Sequence, residues 1–155
     1  MCGGVGSRFW PFSKSAMPKQ FLDFFGTGRS LMQMAVDRLH GIVPLSNILL
    51  MTNESYEPLV REQLPEIDPS QILLEPVRRN TAPCIAWAAH HIHAINPAAK
   101  MMVAPSDHLI VNVEKFRQSV LDAFDFIETR DALVTMASSP AVPRQDMAIS
   151  RWVTP

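Results

Sequence analysis

Glycine is scarce and unevenly placed: six occur in 155 residues, none beyond Gly41. Cysteine occurs only as Cys2 and Cys84, far apart and without a CxxC partner, which argues against a disulfide framework and a structural zinc. A reducing compartment follows, with the cytoplasm as the default. No charge sign dominates, since 14 Lys and Arg face 15 Asp and Glu for a formal net charge of −1. No basic field exists to draw nucleic acid, and no run of like charge suggests a binding tail. Apolar runs stay well short of the roughly 18 residues that span a bilayer, and the N-terminus lacks a basic region followed by an apolar one. Nucleic acid and membrane are therefore not expected partners. Repeats and low-complexity linkers are also lacking. With 47% hydrophobic and 19% charged residues, the chain suffices for one ordinary domain, or part of one.

What is there begins at once. Three of the glycines fall in Gly3-Gly4-Val5-Gly6-Ser7-Arg8-Phe9-Trp10-Pro11, followed by Ser13, Pro18 and Lys19. Glycines leave backbone N–H groups free to approach an anion, and Arg8 and Lys19 bring positive charge to the same place. A nucleotide is the natural guest, although glycines alone read equally as a turn between a strand and a helix. The Gly-Lys-Ser/Thr ending of a Walker A loop is missing, and Phe9 stands where a dinucleotide fingerprint has its third glycine.

Further along, short apolar runs alternate with helical periodicity. Ser30-Leu31-Met32-Gln33 has the form of a capping box and predicts a helix over about 30–40. Ile48–Met51 reads as a buried strand, the stretch near Tyr56 to Leu64 as a helix, and Ile72–Leu74 as a second strand. Thr81 is expected to cap a long helix reaching Ile95 before Asn96-Pro97, and Met101–Ala104 to form the next strand. Asn112 then caps a helix with Phe116, Val120, Ala123, Phe124 and Ile127 on one face, and Ala132–Met136 reads as one more strand. Such alternation predicts an α/β fold, a Rossmann-like, mostly parallel sheet with helices on both faces. In these sheets ligands sit at the carboxyl ends of the strands.

Two more motifs fall at such ends. Glu75-Pro76-Val77-Arg78-Arg79-Asn80-Thr81-Ala82-Pro83 crowds polar groups at a helix N-terminus, which attracts anions. Asn80 suits a base edge, and Asn80 and Thr81 equally suit a helix cap. Pro105-Ser106-Asp107-His108 offers Asp107 as an oxygen ligand for Mg²⁺ or as a turn aspartate. His108 suits ligand contact or packing. His90, His91 and His93 cannot converge on one ion from a helix and read as surface residues.

Taken together, Gly-Gly-x-Gly-x-Arg-x-x-Pro followed by Pro-Lys resembles the signature of sugar-1-phosphate nucleotidylyltransferases. Glu-Pro-x-x-Arg-Asn-Thr-Ala-Pro resembles the guanine- and ribose-contacting segment of mannose-1-phosphate guanylyltransferases, and this resemblance covers residues 3–136. It implies the nucleotide-diphospho-sugar transferase type of sheet, with GTP and mannose 1-phosphate as substrates and Mg²⁺ as cofactor. It further implies that Gly3, Gly4, Gly6 and Ser7 hold the nucleotide phosphates, with Glu75, Asn80, Thr81 and Ala82 at the nucleoside. Arg8 would face the leaving pyrophosphate, Lys19 a phosphate near the reacting centre, and Asp107 the metal. The thymidylyl enzymes acting on glucose 1-phosphate share the glycine loop but lack Arg-Asn-Thr-Ala-Pro. A stand-alone GTP-binding module is a second alternative, and homo-oligomerisation of the intact enzyme is left open.

The ends of the chain are expected to be incomplete. The loop begins at the second residue, which leaves the first strand without sequence to make it. Family members also complete the metal site with a later carboxylate and bind the sugar through a following domain, so this chain alone is expected to be inactive. After Met136 the relatives read Gly-Ile-x-Pro-x-x-Pro-x-Thr-Gly-Tyr-Gly-Tyr-Ile, whereas residues 137–155 carry no strand or helix period. With suitable synonymous codons, Ala137–Pro155 read one base earlier gives Gly-Ile-Lys-Pro-Ser-Arg-Pro-Glu-Thr-Gly-Tyr-Gly-Tyr-Ile-Gln-Val-Gly-Asp-Pro. The expectation is a partial nucleotidyltransferase domain over 1–136 and a frameshifted, poorly ordered tail over 137–155.

Overall fold

The computed structural model describes residues 1–4, 10–77 and 79–136. Helix α1 (Leu31–Asp37) starts where the capping box sets it: Ser30 Oγ accepts from Gln33 N, and the Gln33 side chain accepts from Ser30 N. Two orphan donors of the first turn are thereby satisfied. Strand β1 (Leu50–Thr52) leads through a 3₁₀ turn at Glu54–Tyr56 into α2 (Glu57–Gln63). Strand β2 (Ile72–Leu74) follows a second capped turn at Pro69–Gln71. Helix α3 spans Thr81–Ile95, and α4 spans Val113–Glu128 behind Asn112, whose Oδ1 accepts from Lys115 N at 2.8 Å.

β1 and β2 pair in parallel, Leu50 opposite Ile72 and Thr52 opposite Leu74. On the other side of β1, Cys2 N donates to Met51 O at 2.8 Å. Beyond it, the Met1 ammonium donates to Ala104 O at 3.3 Å, and Ser106 N donates to Met1 O at 3.4 Å. Residues 1–2 thus lie between β1 and the 104–106 segment. The regular sheet has two strands, and backbone bonds extend the order across the molecule to Ile72–Leu74, Leu50–Thr52, Met1–Cys2, then 104–106, so that after β2 the chain crosses to the other side of residues 1–2 in a reversal of strand order. That reversal is where an open α/β sheet forms its ligand crevice.

Alternate residues sort the two faces. Cys2, Leu50 and Ile72 pack with Met32, Val36 and Val60, and Met102 and Phe116 border the same cluster. Met51 packs with Cys84 and Ala88, bordered by Met1, Leu73 and Met101. Successive side chains of a strand point to opposite faces, so α1, α2 and α4 cover one side and α3 the other. The α/β reading holds.

Three local readings change. Thr81 is the first residue of α3 rather than its cap; Asn80 takes the cap position at φ 66° with no side-chain bond to the helix. With ψ at −165° this is a backbone region that glycine alone adopts readily, so Asn80 is held there under strain at the start of α3. Residues 101–104 run as an extended segment bonded to Met1 rather than as a regular strand. Residues 132–136 form no strand, and all are exposed. An extended run becomes a strand only when a neighbour supplies ladder bonds and a face to bury against, and none of the described residues does so here. The reading of 137–155 lies outside the described residues.

Buried Ser30 ties two helices, because its hydroxyl also donates to Gln63 Oε1 at 2.6 Å. Ser30→Ala is expected to cost about 1–2 kcal/mol in urea unfolding; an unchanged midpoint would refute this role.

Candidate functional site

The site is built at the carboxyl ends of the strands, starting from the first one. Gly3 and Gly4 leave it under the hold of Gln20, a buried residue whose side-chain nitrogen donates to Cys2 O at 2.7 Å and Gly4 O at 2.9 Å. A Cβ on Gly3 would stand 3.1 Å from Glu75 Oε2, so the missing side chain lets the chain pass close to that carboxylate. Glu75 itself continues β2, its N–H donating to Thr52 O at 2.7 Å. The glycine limb and the end of β2 are therefore neighbours. Gly6, Ser7 and Arg8 lie outside the described residues, as does Arg78.

Lys19 opens a short 3₁₀ turn, Lys19–Phe21, and its Nζ forms an ion pair with Asp107 Oδ2. The pair bridges the segment after the glycine loop to the segment beyond 104–106. Asp107 is set by its neighbours: Ser106 Oγ donates to Met1 O at 2.7 Å, and buried Arg38 reaches over from α1. Arg38 Nη1 donates to His108 O at 2.8 Å and Nη2 to Pro105 O at 3.3 Å, while its guanidinium lies 5.8 Å from the Phe116 ring centre. A rigid donor fork that grips two carbonyls fixes the turn in a way that a single ammonium would not.

Burial pushes the Asp107 carboxyl up, but the hydrogen bond and charge of Lys19, with His108 behind them, outweigh it and hold the group below its usual value. The His108 ring nitrogen is 3.8 Å from Asp107 Oδ1. The Cys84 thiol is pushed up to about 11, first by burial and then by the charge and hydrogen bonding of Glu75. It is no nucleophile at neutral pH.

Of the residues singled out from sequence, the fold brings Gly3 to Glu75 and Lys19 to Asp107. Asn80, Thr81 and Ala82 stand exposed at the start of α3. His90 and His93 are exposed and His91 is partly so. Three residues escaped sequence reading. Gln20 follows Lys19 directly, and that adjacency was the only available signal. Arg38 lies far from the turn it clamps. Buried Asn53 directly follows β1, and neither atom of its amide has a hydrogen-bond partner among the described residues. Among those residues no three His, Cys, Asp or Glu gather into a metal cage, and no helix is long and apolar enough to cross a membrane.

Comparison with known proteins identifies the family. The nucleotidyl transferase family matches residues 1–145. Mannose-1-phosphate guanylyltransferases of Salmonella montevideo and Escherichia coli are 38% and 39% identical over 145 residues, covering 92% of this chain. The chain spans about 30% of the length of either relative. Among solved structures, a Thermus thermophilus protein described as a mannose-1-phosphate geranyltransferase superposes with a TM-score of 0.70 at 31% identity, over 82% of this chain and 36% of its own. A Helicobacter pylori mannose-6-phosphate isomerase gives a TM-score of 0.58 at 28% identity, over 74% and 44% respectively.

Lys19→Met should move the Asp107 titration upward in carboxyl NMR. A carboxyl depressed on folding stabilises the fold above its unfolded value, and that contribution is lost as pH falls through the folded one. The variant should therefore lose stability at neutral pH and flatten the acid limb; an unmoved titration would contradict the pair.

Proposed function

The chain belongs to the nucleotidyl transferase family, and from that premise we propose that it carries the GTP side of a mannose-1-phosphate guanylyltransferase site. The observation that supports this best is the Lys19–Asp107 pair, which joins the limb after the glycine loop to the third motif at the strand ends. In the proposed reaction a phosphate oxygen of mannose 1-phosphate attacks the α-phosphorus of GTP in line. The new P–O bond forms as the bond to the β-phosphate oxygen breaks, and pyrophosphate leaves with the electron pair. No covalent enzyme intermediate is needed; positioning and charge stabilisation suffice.

Gly3, Gly4, Gly6 and Ser7 offer backbone N–H groups to the phosphate tail. Arg8 offsets charge on the departing pyrophosphate, and Lys19 presents its ammonium to a phosphate oxygen near the reacting centre. Glu75, Asn80, Thr81 and Ala82 face the guanosine, where the amide of Asn80 matches a base edge bearing both donors and acceptors. Asp107 fits the protein's share of a Mg²⁺ site, since this ion is commonly held by one or two carboxylates with phosphate oxygens and water. Bound there, Mg²⁺ would add positive charge against the phosphates. We assign this chain nucleotide recognition without turnover; as a second reading, it is a GTP-binding module.

An NMR titration with GTP, ATP and dTTP in the presence of Mg²⁺ tests the assignment. GTP is expected to shift the amides of Gly3, Gly4, Glu75 and Asp107 at lower concentration than the other two, with no pyrophosphate released on adding mannose 1-phosphate. Equal shifts by all three would refute guanine selection, and no shift at the strand ends would refute the nucleotide site. Pyrophosphate release would instead make the chain a self-sufficient enzyme.

A further inference from the structure

Asn53 continues β1 by one residue in extended backbone, at φ −124° and ψ 166°. The parallel register fixes its neighbours. Thr52 stands opposite Leu74 and its carbonyl accepts from Glu75 N, so the next step of the ladder sets Asn53 beside Glu75. On the other flank Cys2 N donates to Met51 O, which in a parallel ladder sets Cys2 beside Thr52 and Gly3 beside Asn53. Successive side chains alternate between faces. Met51 packs with Cys84 and Ala88 of α3, so Asn53, two residues on, points to that same side, under the first turn of the helix. Glu75 shares this face: a Cβ on Gly3 would stand 3.1 Å from its Oε2, and the Cys84 thiol feels its charge.

Asn53 is 7% exposed, and among the described residues neither Oδ1 nor Nδ2 has a hydrogen-bond partner. It holds the cap position of the Glu54–Tyr56 turn without capping it. A buried amide with no partners costs stability, and leucine, of the same branched shape, would remove that cost. What the amide offers is one donor and one acceptor side by side, next to a carboxylate that only accepts. The edge of guanine is the complement of that set, since O6 accepts while N1–H and the 2-amino group donate. Adenine carries a donor where guanine has O6, and only a C–H where guanine has its 2-amino group.

Resting on the nucleotide reading above, we propose that Asn53 is a base-selecting contact. Its Nδ2 donates to O6 of guanine and its Oδ1 accepts from N1–H, while the Glu75 carboxylate accepts from the 2-amino group. Because the amide is buried, the contact forms as the entering base draws the Glu75 side chain away from Gly3 and uncovers it. The desolvation cost carried by the free chain is then relieved only in the complex, and only by a base with the matching edge.

The test is Asn53→Leu in the full chain, read by melting temperature and by calorimetric titration with GTP, inosine triphosphate and ATP in the presence of Mg²⁺. Inosine keeps O6 and N1–H but lacks the 2-amino group. The variant should melt about 2–4 °C higher than the wild type. Its affinity for GTP and for inosine triphosphate should fall about tenfold, with ATP unaffected. A lower melting temperature would show that the amide serves the fold, and equal losses for all three nucleotides would show that it does not read the base; either overturns the proposal. Unchanged GTP affinity in N53L, beside a wild type that prefers GTP, overturns it while leaving the wider reading in place, whereas a wild type without that preference overturns both.

Discussion

Two residues carry the architecture. Met1 and Cys2 join β1 to the 104–106 segment through backbone bonds on both sides, and everything with chemical potential is arranged around the point where the chain leaves them. Without that central register, the glycine limb, the end of β2 and the Asp107 turn would have no common reference. Parallel strands make this arrangement natural, since all carboxyl ends face one way and their loops crowd a single edge.

Holding those loops takes polar side chains that are themselves buried. Gln20 grips the carbonyls of Cys2 and Gly4, and Arg38 grips those of Pro105 and His108. Both satisfy backbone groups that a loop would otherwise leave to water. They are positioning residues: neither needs to touch a ligand for its loss to misplace those that do. Burial lowers the Arg38 pKa from its usual value, yet guanidinium remains charged throughout the accessible pH range, so the clamp carries no pH switch.

Local signals were legible in the sequence wherever a feature closes within a few residues. The Ser30 capping box, the Asn112 cap and the Ile72–Leu74 strand emerged as the residues suggest. Features that depend on distant partners were not. Residues 101–104 and 132–136 have equally apolar sequences, yet only the first lies beside Met1 and gains ladder bonds. The positive φ of Asn80 could not be told from an ordinary cap, because that backbone favours glycine and nothing in the residue type announces it. Site residues were legible as motifs, while their mutual contacts, Gly3 with Glu75 and Lys19 with Asp107, needed the sheet order. Arg38 was invisible for the same reason: its partners lie 67 and 70 residues away.

The account stands on one claim, that the limb after the glycine loop and the Asp107 turn form a single site through their opposite charges. A double-mutant cycle with Lys19→Met and Asp107→Asn, read as unfolding free energy at neutral pH and low salt, measures it directly. The pair is only partly exposed, so a coupling of roughly 0.2–1 kcal/mol is predicted, falling away as acid protonates Asp107. Strictly additive effects at neutral pH would contradict the claim.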